Sequence, residues 1–306
     1  MTKILVRKKA HFSGHKGAIF SIEKSIHANC IYSGGDDGYV AEWDLETKGD
    51  GKLVANVPRP VYALLADDER KLLFCGTAAG NLHVVDLQSG KEVRNIEAHT
   101  LGLYSICKHG NALFTSGGDG AVCVWSLPDM QLLHRQQFSD KSARIIALHP
   151  RHNLLAVGYS DHKIRLASQQ LQLLHTIDAH SNSVFGLAWD GEGRQLLSGG
   201  RDVMLKSWDS CNQYTCTLNV PAHTLHINSI AYNPSATLFA TASMDKTIKI
   251  WAAESHQLIK VIDKARNDAH INSVNKIVWL SDLELATCSD DKQLMIWELE
   301  WASNHI

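Results

Sequence analysis

Between positions 227 and 262 the chain alternates short apolar, β-branched segments with polar turns. Ile227 to Tyr232, Leu238 to Ser243 and Thr247 to Trp251 read as strands, separated by Asn233-Pro234-Ser235 and Met244-Asp245-Lys246, and Gln257 to Ile262 supplies a fourth. The same rhythm recurs along the chain. Its closing positions fall at Trp43, Val85, Trp125, Ala167, Trp208, Trp251 and Trp297, in steps of 42, 40, 42, 41, 43 and 46 residues. A fixed period of four short strands predicts one supersecondary unit, repeated and stacked, because a lone small sheet cannot bury both of its faces.

Superimposing the repeats on these end points makes the chain its own alignment. Six residues back stand Asp37, Ala79, Asp119, Asp161, Asp202, Asp245 and Asp291, and ten back stand Ser33, Cys75, Thr115, Val157, Ser198, Thr241 and Thr287. His15, His99, His180, His223 and His270 precede them in repeats one, three, five, six and seven. Repeat two lacks all four residue types and repeat four keeps only Asp161, so the residues behave as a set. Catalytic triads would need an exposed nucleophile, a base and an oxyanion site in a cleft. Five copies predict instead a repeated structural bond, in which Asp accepts from His, the hydroxyl extends the network and the indole N–H ends it.

With these residues in place the chain resembles the WD-repeat β-propeller family over essentially all 306 residues. Gly14-His15, with Ala98-His99, Ala179-His180, Ala222-His223 and Ala269-His270 as variants, is similar to the family's Gly-His element. Trp43-Asp44 and Trp208-Asp209 match its closing Trp-Asp, while Trp125-Ser126, Trp251-Ala252 and Trp297-Glu298 depart from it. The resemblance implies an all-β, seven-bladed propeller of four-stranded antiparallel blades, occupying residues 1–306 as one domain. Repeat seven stops soon after Trp297 without a fourth strand, and residues 3–10 are expected to supply it, closing the ring by pairing the N-terminal strand with the C-terminal blade.

The resemblance also places the residue five past each histidine position at the mouth of the central channel: Phe20, Tyr62, Tyr104, Arg144, Phe185, Asn228 and Asn275. Four aromatics and an arginine on one rim have the composition of an interface hot spot. The residue before each turn aspartate is expected on the same face, giving Asp36, Ala78, Gly118, Ser160, Arg201, Met244 and Asp290, with Arg59 and Lys141 added by blades two and four. Positive charge then falls on blades two, four and five and negative charge on blades seven and one, which would orient a docking partner.

Bulk properties narrow the partner class. A net charge of -2 with 20% charged residues lacks the global basicity of a general nucleic-acid binder. The basic run Lys3, Arg7, Lys8 and Lys9 fits a protected outer strand, or a local nucleic-acid patch if further cations join it. Seven cysteines, Cys30, Cys75, Cys107, Cys123, Cys211, Cys216 and Cys288, read as small buried residues of a reducing compartment. Asp67-Asp68-Glu69 read as a solvated turn. No Gly-x-Ser-x-Gly, phosphate-loop or His-Glu-x-x-His motif occurs. Of the 17 histidines, five belong to the repeat set, and others such as His149 and His152 sit in turns, so no metal site is expected.

The expected function is therefore a non-enzymatic scaffold that binds a protein or peptide on the top face around the channel. It needs no cofactor, spans no membrane, and acts in the cytoplasm as a monomer within a larger assembly; a nucleic-acid partner is not expected. Two alternatives are a hydrolase-like propeller enzyme with its site at the channel mouth, and phosphate or nucleic-acid recognition through Arg59, Lys141, Arg144 and Arg201.

Overall fold

The computed structural model describes residues 4–127 and 129–302. These residues form seven four-stranded antiparallel sheets. Six sheets are built from strands consecutive in the chain; in blade one they are Ile19–Lys24, Cys30–Gly35, Tyr39–Asp44 and Lys52–Asn56. In repeat six the strands are Ile227–Tyr232, Leu238–Ser243, Ile248–Ala252 and Leu258–Ile262, within one residue of the expected bounds.

The seventh sheet combines Val274–Trp279, Glu284–Ser289 and Gln293–Trp301 with the strand Ile4–Ser13. Ile4 pairs with Trp301 and Ser13 with Gln293, so both ends of the chain share one blade and the propeller is closed. The closing strand runs three residues beyond the expected limit of Ala10, and Lys3 lies outside the described residues. Arg7, Lys8 and Lys9 are each matched by an acid: Glu298, Asp268 and Glu284 respectively. Each thus has an acidic partner along the outer edge of the closing blade.

The core lies between blades rather than within them. Seven separate apolar clusters occupy the seven blade interfaces; one joins Ile19 and Trp43 of blade one to Phe12, Ala286 and Ile296 of blade seven. Another joins Tyr32 and Val40 of blade one to Leu73 and Val85 of blade two. Each blade thus becomes stable only with both neighbours, which explains why closure matters.

Two expectations are corrected by burial and a third by hydrogen bonding. Cys211 and Cys216 are exposed, because they sit on a surface 3-10 turn and on the outer strand Thr215–Pro221 rather than facing a neighbouring blade. Asp67 is fully buried, ending the inner strand Val61–Asp67, with its carboxylate held by Lys108 of blade three and by Arg70 at 2.9 Å. Only Asp68 and Glu69 are solvated. Repeat four has not simply decayed: Arg165 takes the vacant partner position, with Nη1 and Nη2 3.1 and 2.7 Å from the two oxygens of Asp161, which also accepts from Ser139 Oγ at 2.7 Å.

Candidate functional site

In every blade the inner strand carries a bulge at the same place. The pairing of Ile19 with Gly35 is followed by that of Ser21 with Gly34, so Phe20 is left out of the ladder. The same break leaves out Tyr62, Tyr104, Arg144, Phe185, Asn228 and Asn275. A bulged residue has no ladder partner and its side chain is re-aimed. All seven of these side chains line one cavity of about 380 Å³ at the mouth of the channel, together with Ile145, His226 and Lys276.

Contacts run from blade to blade around this mouth. Phe20 meets Tyr62 edge-on at 5.3 Å between ring centroids, and Tyr62 stacks on Tyr104 at 5.7 Å. The Arg144 guanidinium lies 4.4 Å from the Tyr104 ring centre and 5.6 Å from that of Phe185, while its Nε donates to Ser160 Oγ at 2.9 Å. Phe185 in turn faces His226, which accepts from Arg201 Nε at 3.2 Å. On the remaining blades Asn228 Nδ2 donates to Ser273 Oγ and to the Val274 carbonyl, each at 3.0 Å. Asn275 Nδ2 donates to the Ile19 carbonyl at 2.9 Å and to Asp290 at 2.8 Å. The side chains are thus tied to one another before any ligand arrives, which limits the ordering cost of binding.

Asp36, Arg201, Met244 and Asp290 are exposed around this cavity's edge without lining it. Of the four cations proposed for phosphate recognition, only Arg144 lines the mouth. Lys141 pairs with Asp140 at 3.2 Å, Arg201 is committed to His226, and Arg59 is exposed on the segment before blade two. Leu101, Leu225 and Ile271, exposed by 59%, 43% and 53%, belong to the same loops as the histidine elements and add apolar surface.

Electrostatics differ across the mouth. Burial, and then Arg201, pull His226 down from its ordinary value, so it stays neutral and accepts. Deeper in, burial pushes the Glu23 carboxyl up to about 7 against the opposing pull of Lys276. Among the described residues no three His, Cys, Asp or Glu side chains gather as a metal site would require.

The histidine sets are separate from the mouth and act within blades. In blade six His223 Nδ1 lies 2.9 Å from Asp245, its Nε2 lies 2.7 Å from Thr241 Oγ1, and Trp251 Nε1 donates to the same oxygen at 3.0 Å. The indole can only donate, so the hydroxyl passes its own proton to Nε2 and the ring keeps its proton on Nδ1 for the carboxylate. Equivalent chains join His15, Asp37, Ser33 and Trp43, His99, Asp119, Thr115 and Trp125, His180, Asp202, Ser198 and Trp208, and His270, Asp291, Thr287 and Trp297. Each aspartate also accepts the backbone N–H that follows its histidine, as Lys16 N does for Asp37 at 2.8 Å. Blade two replaces the chain with apolar contact through Val57, Cys75 and Val85.

Residues 6–44, 90–126, 214–252 and 262–298 match the family model of the WD domain, G-beta repeat, and residues 119–192 match that of the anaphase-promoting complex subunit 4 WD40 domain. The chain belongs to the WD-repeat β-propeller family. This WD-repeat propeller is 24% identical over 295 residues to WD repeat-containing protein 1-B of Xenopus laevis, covering 93% of this chain and 47% of that protein. It is 24% identical over 228 residues to transcription factor unc-37 of Caenorhabditis elegans, covering 74% and 37% respectively. It is 29% identical over 182 residues to transducin-like enhancer protein 2 of Mus musculus, covering 57% and 23%. The chain spans less than half the length of these relatives. In fold it is similar to the crystal structure of the WD40 beta propeller domain of Doa1, with a TM-score of 0.87 at 19% identity, over 99% of this chain and 100% of that one. No helix of the described residues is long and apolar enough to cross a membrane.

Three mouth residues escape the repeat-based list. His226 and Lys276 stand in aligned columns otherwise held mostly by small residues: Ala18, Pro60, Gly102, Ser142, Ser183 and Ser273 for the first, Ser21, Ala63, Ser105, Gly186 and Ser229 for the second. A large polar residue in a column of small ones was the available signal. Ile145, in the second column, carries the same signal without polarity.

Proposed function

We propose that this WD-repeat propeller is a non-enzymatic adaptor that binds an extended peptide or protein segment on its top face, with the channel mouth as the anchor site. The carrying observation is the convergence of all seven bulged residues on one cavity, with aromatic and guanidinium contacts continuous from Phe20 to Phe185. Rigid aromatic and arginine side chains supply binding energy at little entropic cost. Exposed Leu101, Leu225, Met244 and Ile271 extend the surface that a protein partner would cover. Such an adaptor works as a monomer within a larger cytoplasmic assembly.

Panning a displayed random-peptide library on the purified protein tests this function. Selected peptides should bind Tyr104→Ala and Arg144→Glu proteins at least about tenfold more weakly, and bind the outer-strand variant Leu133→Ala as well as wild type. Equal binding to all of these folded variants would remove the mouth as the recognition site.

A further inference from the structure

The donors at the channel mouth are not equally committed. Both asparagine amides are used within the chain, Asn228 on Ser273 and Val274, Asn275 on Ile19 and Asp290. Arg201 is spent on His226. Among the described residues, the Arg144 Nη1 and Nη2 groups and the Lys276 ammonium make no hydrogen bond or ion pair, although both side chains are half-buried in the cavity wall. Among the described residues Arg144 has no counter-ion, and the only carboxyl seen to feel Lys276 is Glu23, which burial pushes towards its neutral form. Two partly desolvated, under-compensated cations in one cavity are costly to the empty protein, and an anion bound there relieves that cost.

We propose that the mouth is a receptor for one carboxylate, carried by an acidic side chain of the extended segment, with Arg144 as its fork and Lys276 as the second cation. This rests on the peptide-binding function proposed above and names the chemistry it selects. The guanidinium is fixed on three sides, by Ser160 Oγ on Nε, by the Tyr104 ring and by the Phe185 ring, so its Nη edge is the face left for a ligand. A planar fork held in this way matches the two oxygens of a carboxylate. The cavity, about 380 Å³, has room for a side chain or two rather than a folded element.

Selectivity for a single charge comes from the rest of the rim. Asp36 and Asp290 stand on blades one and seven, across from Arg144 on blade four, and Asp36 is near enough to act electrostatically on Tyr62. A polyanion such as a nucleic-acid backbone would meet these carboxylates with like charge, whereas a peptide with one acid flanked by neutral or basic residues would not. Tyr62 and Phe20 lie between the two poles and would receive an apolar neighbour of that acid.

The test uses short amidated peptide pools that differ only at one fixed position: Glu, Gln, Lys or phosphoserine. Retention on the wild-type protein should favour the Glu pool over the Gln pool by about tenfold, with Lys weakest. Arg144→Gln should erase that preference, Arg144→Lys should leave part of it because charge survives without the fork, and Lys276→Gln should weaken it. Melting temperatures establish that each variant is folded. Equal retention of Glu, Gln and Lys pools would overturn the carboxylate site while leaving peptide binding intact. Stronger retention of phosphoserine than Glu would overturn it in favour of a phosphate site. Retention of no pool would count against the peptide-binding function itself, and this proposal with it.

Discussion

Asp245→Ala isolates the contribution of one blade's polar chain. The side chain is 8% exposed, and its oxygens receive His223 Nδ1 at 2.9 Å, Thr224 N at 3.0 Å, Thr247 N at 3.0 Å and Thr247 Oγ1 at 2.7 Å. Alanine leaves the fully buried His223 ring with a proton on Nδ1 and no carboxylate to receive it. The two backbone N–H groups lie near the surface and recover water, so the histidine carries most of the loss. Leaving a buried neutral donor without the carboxylate it gave to costs about 1 to 3 kcal/mol. In a chain of this size about 2 °C is lost per kcal/mol, so melting should fall by about 2 to 6 °C. Thermal unfolding and urea titration followed by circular dichroism measure it, with the exposed Asp68→Ala as a control expected within about 0.5 kcal/mol of wild type. Trp251→Phe removes the N–H given to Thr241 and part of the buried ring, and should cost about 2 to 4 kcal/mol. If Asp245→Ala melted with the wild type, the polar chains would not hold the blades and their recurrence would need another cause.

Other outcomes follow from the same geometry. Arg165→Met should destabilise blade four by about 1.5 to 3 kcal/mol in urea unfolding, because Asp161 loses its two guanidinium bonds and Arg165 leaves the Tyr159 ring 4.5 Å away; an unchanged midpoint would show that repeat four needs no polar chain. Stability should fall as pH is lowered. Burial holds the folded His99 and His223 below their ordinary value, so their contribution is complete above about 6.5 and declines below it. Asp202, which burial would raise, is instead held at about 2 by His180 and the Ser181 N–H, so its contribution is present above the ordinary aspartate value and is lost as pH falls towards 2. Urea midpoints that rose between pH 7 and pH 3 would contradict both signs. A maleimide reagent should modify the exposed Cys211 and Cys216 of the native protein quickly. Buried Cys75 and Cys123, whose thiols burial pushes up to about 12 and about 11, should react only after denaturation, as peptide mass spectrometry would show. Labelling of Cys75 at the rate of Cys211 would refute the packing of blades one and two.

The architecture was readable because every blade obeys one arithmetic. Ends at Trp43 through Trp297 gave the blade count, and the missing fourth strand of repeat seven pointed to the strand now seen as Ile4–Ser13. The bulges were also written in the chain, in a form that needs the structure to be noticed. Core residues of an inner strand should recur every second position, yet the buried pairs Ile19 and Ile22, Leu103 and Ile106, and Ile227 and Ile230 are three apart. The extra residue between them is the one that reaches the channel mouth. Arg165 and Asp67 were not readable. Arg165 itself stands outside the aligned columns although its partner Asp161 lies in one, and Asp67 is defined by Lys108 in the next blade. Repetition reveals what all blades share, and these contacts belong to one blade each. The same holds for Lys276 and His226, whose roles depend on neighbours particular to their own blades, such as Arg201 for His226.

A photo-crosslinking residue placed at Tyr62, and in a second protein at Leu133 on the outer strand, tests the central claim most directly when each is illuminated with a peptide selected on the wild-type protein. Binding at the mouth predicts a covalent adduct at position 62, competed by unlabelled peptide, and none at position 133. Adducts at position 133, or none at position 62 while binding persists, would place recognition away from the bulged ring and contradict the account.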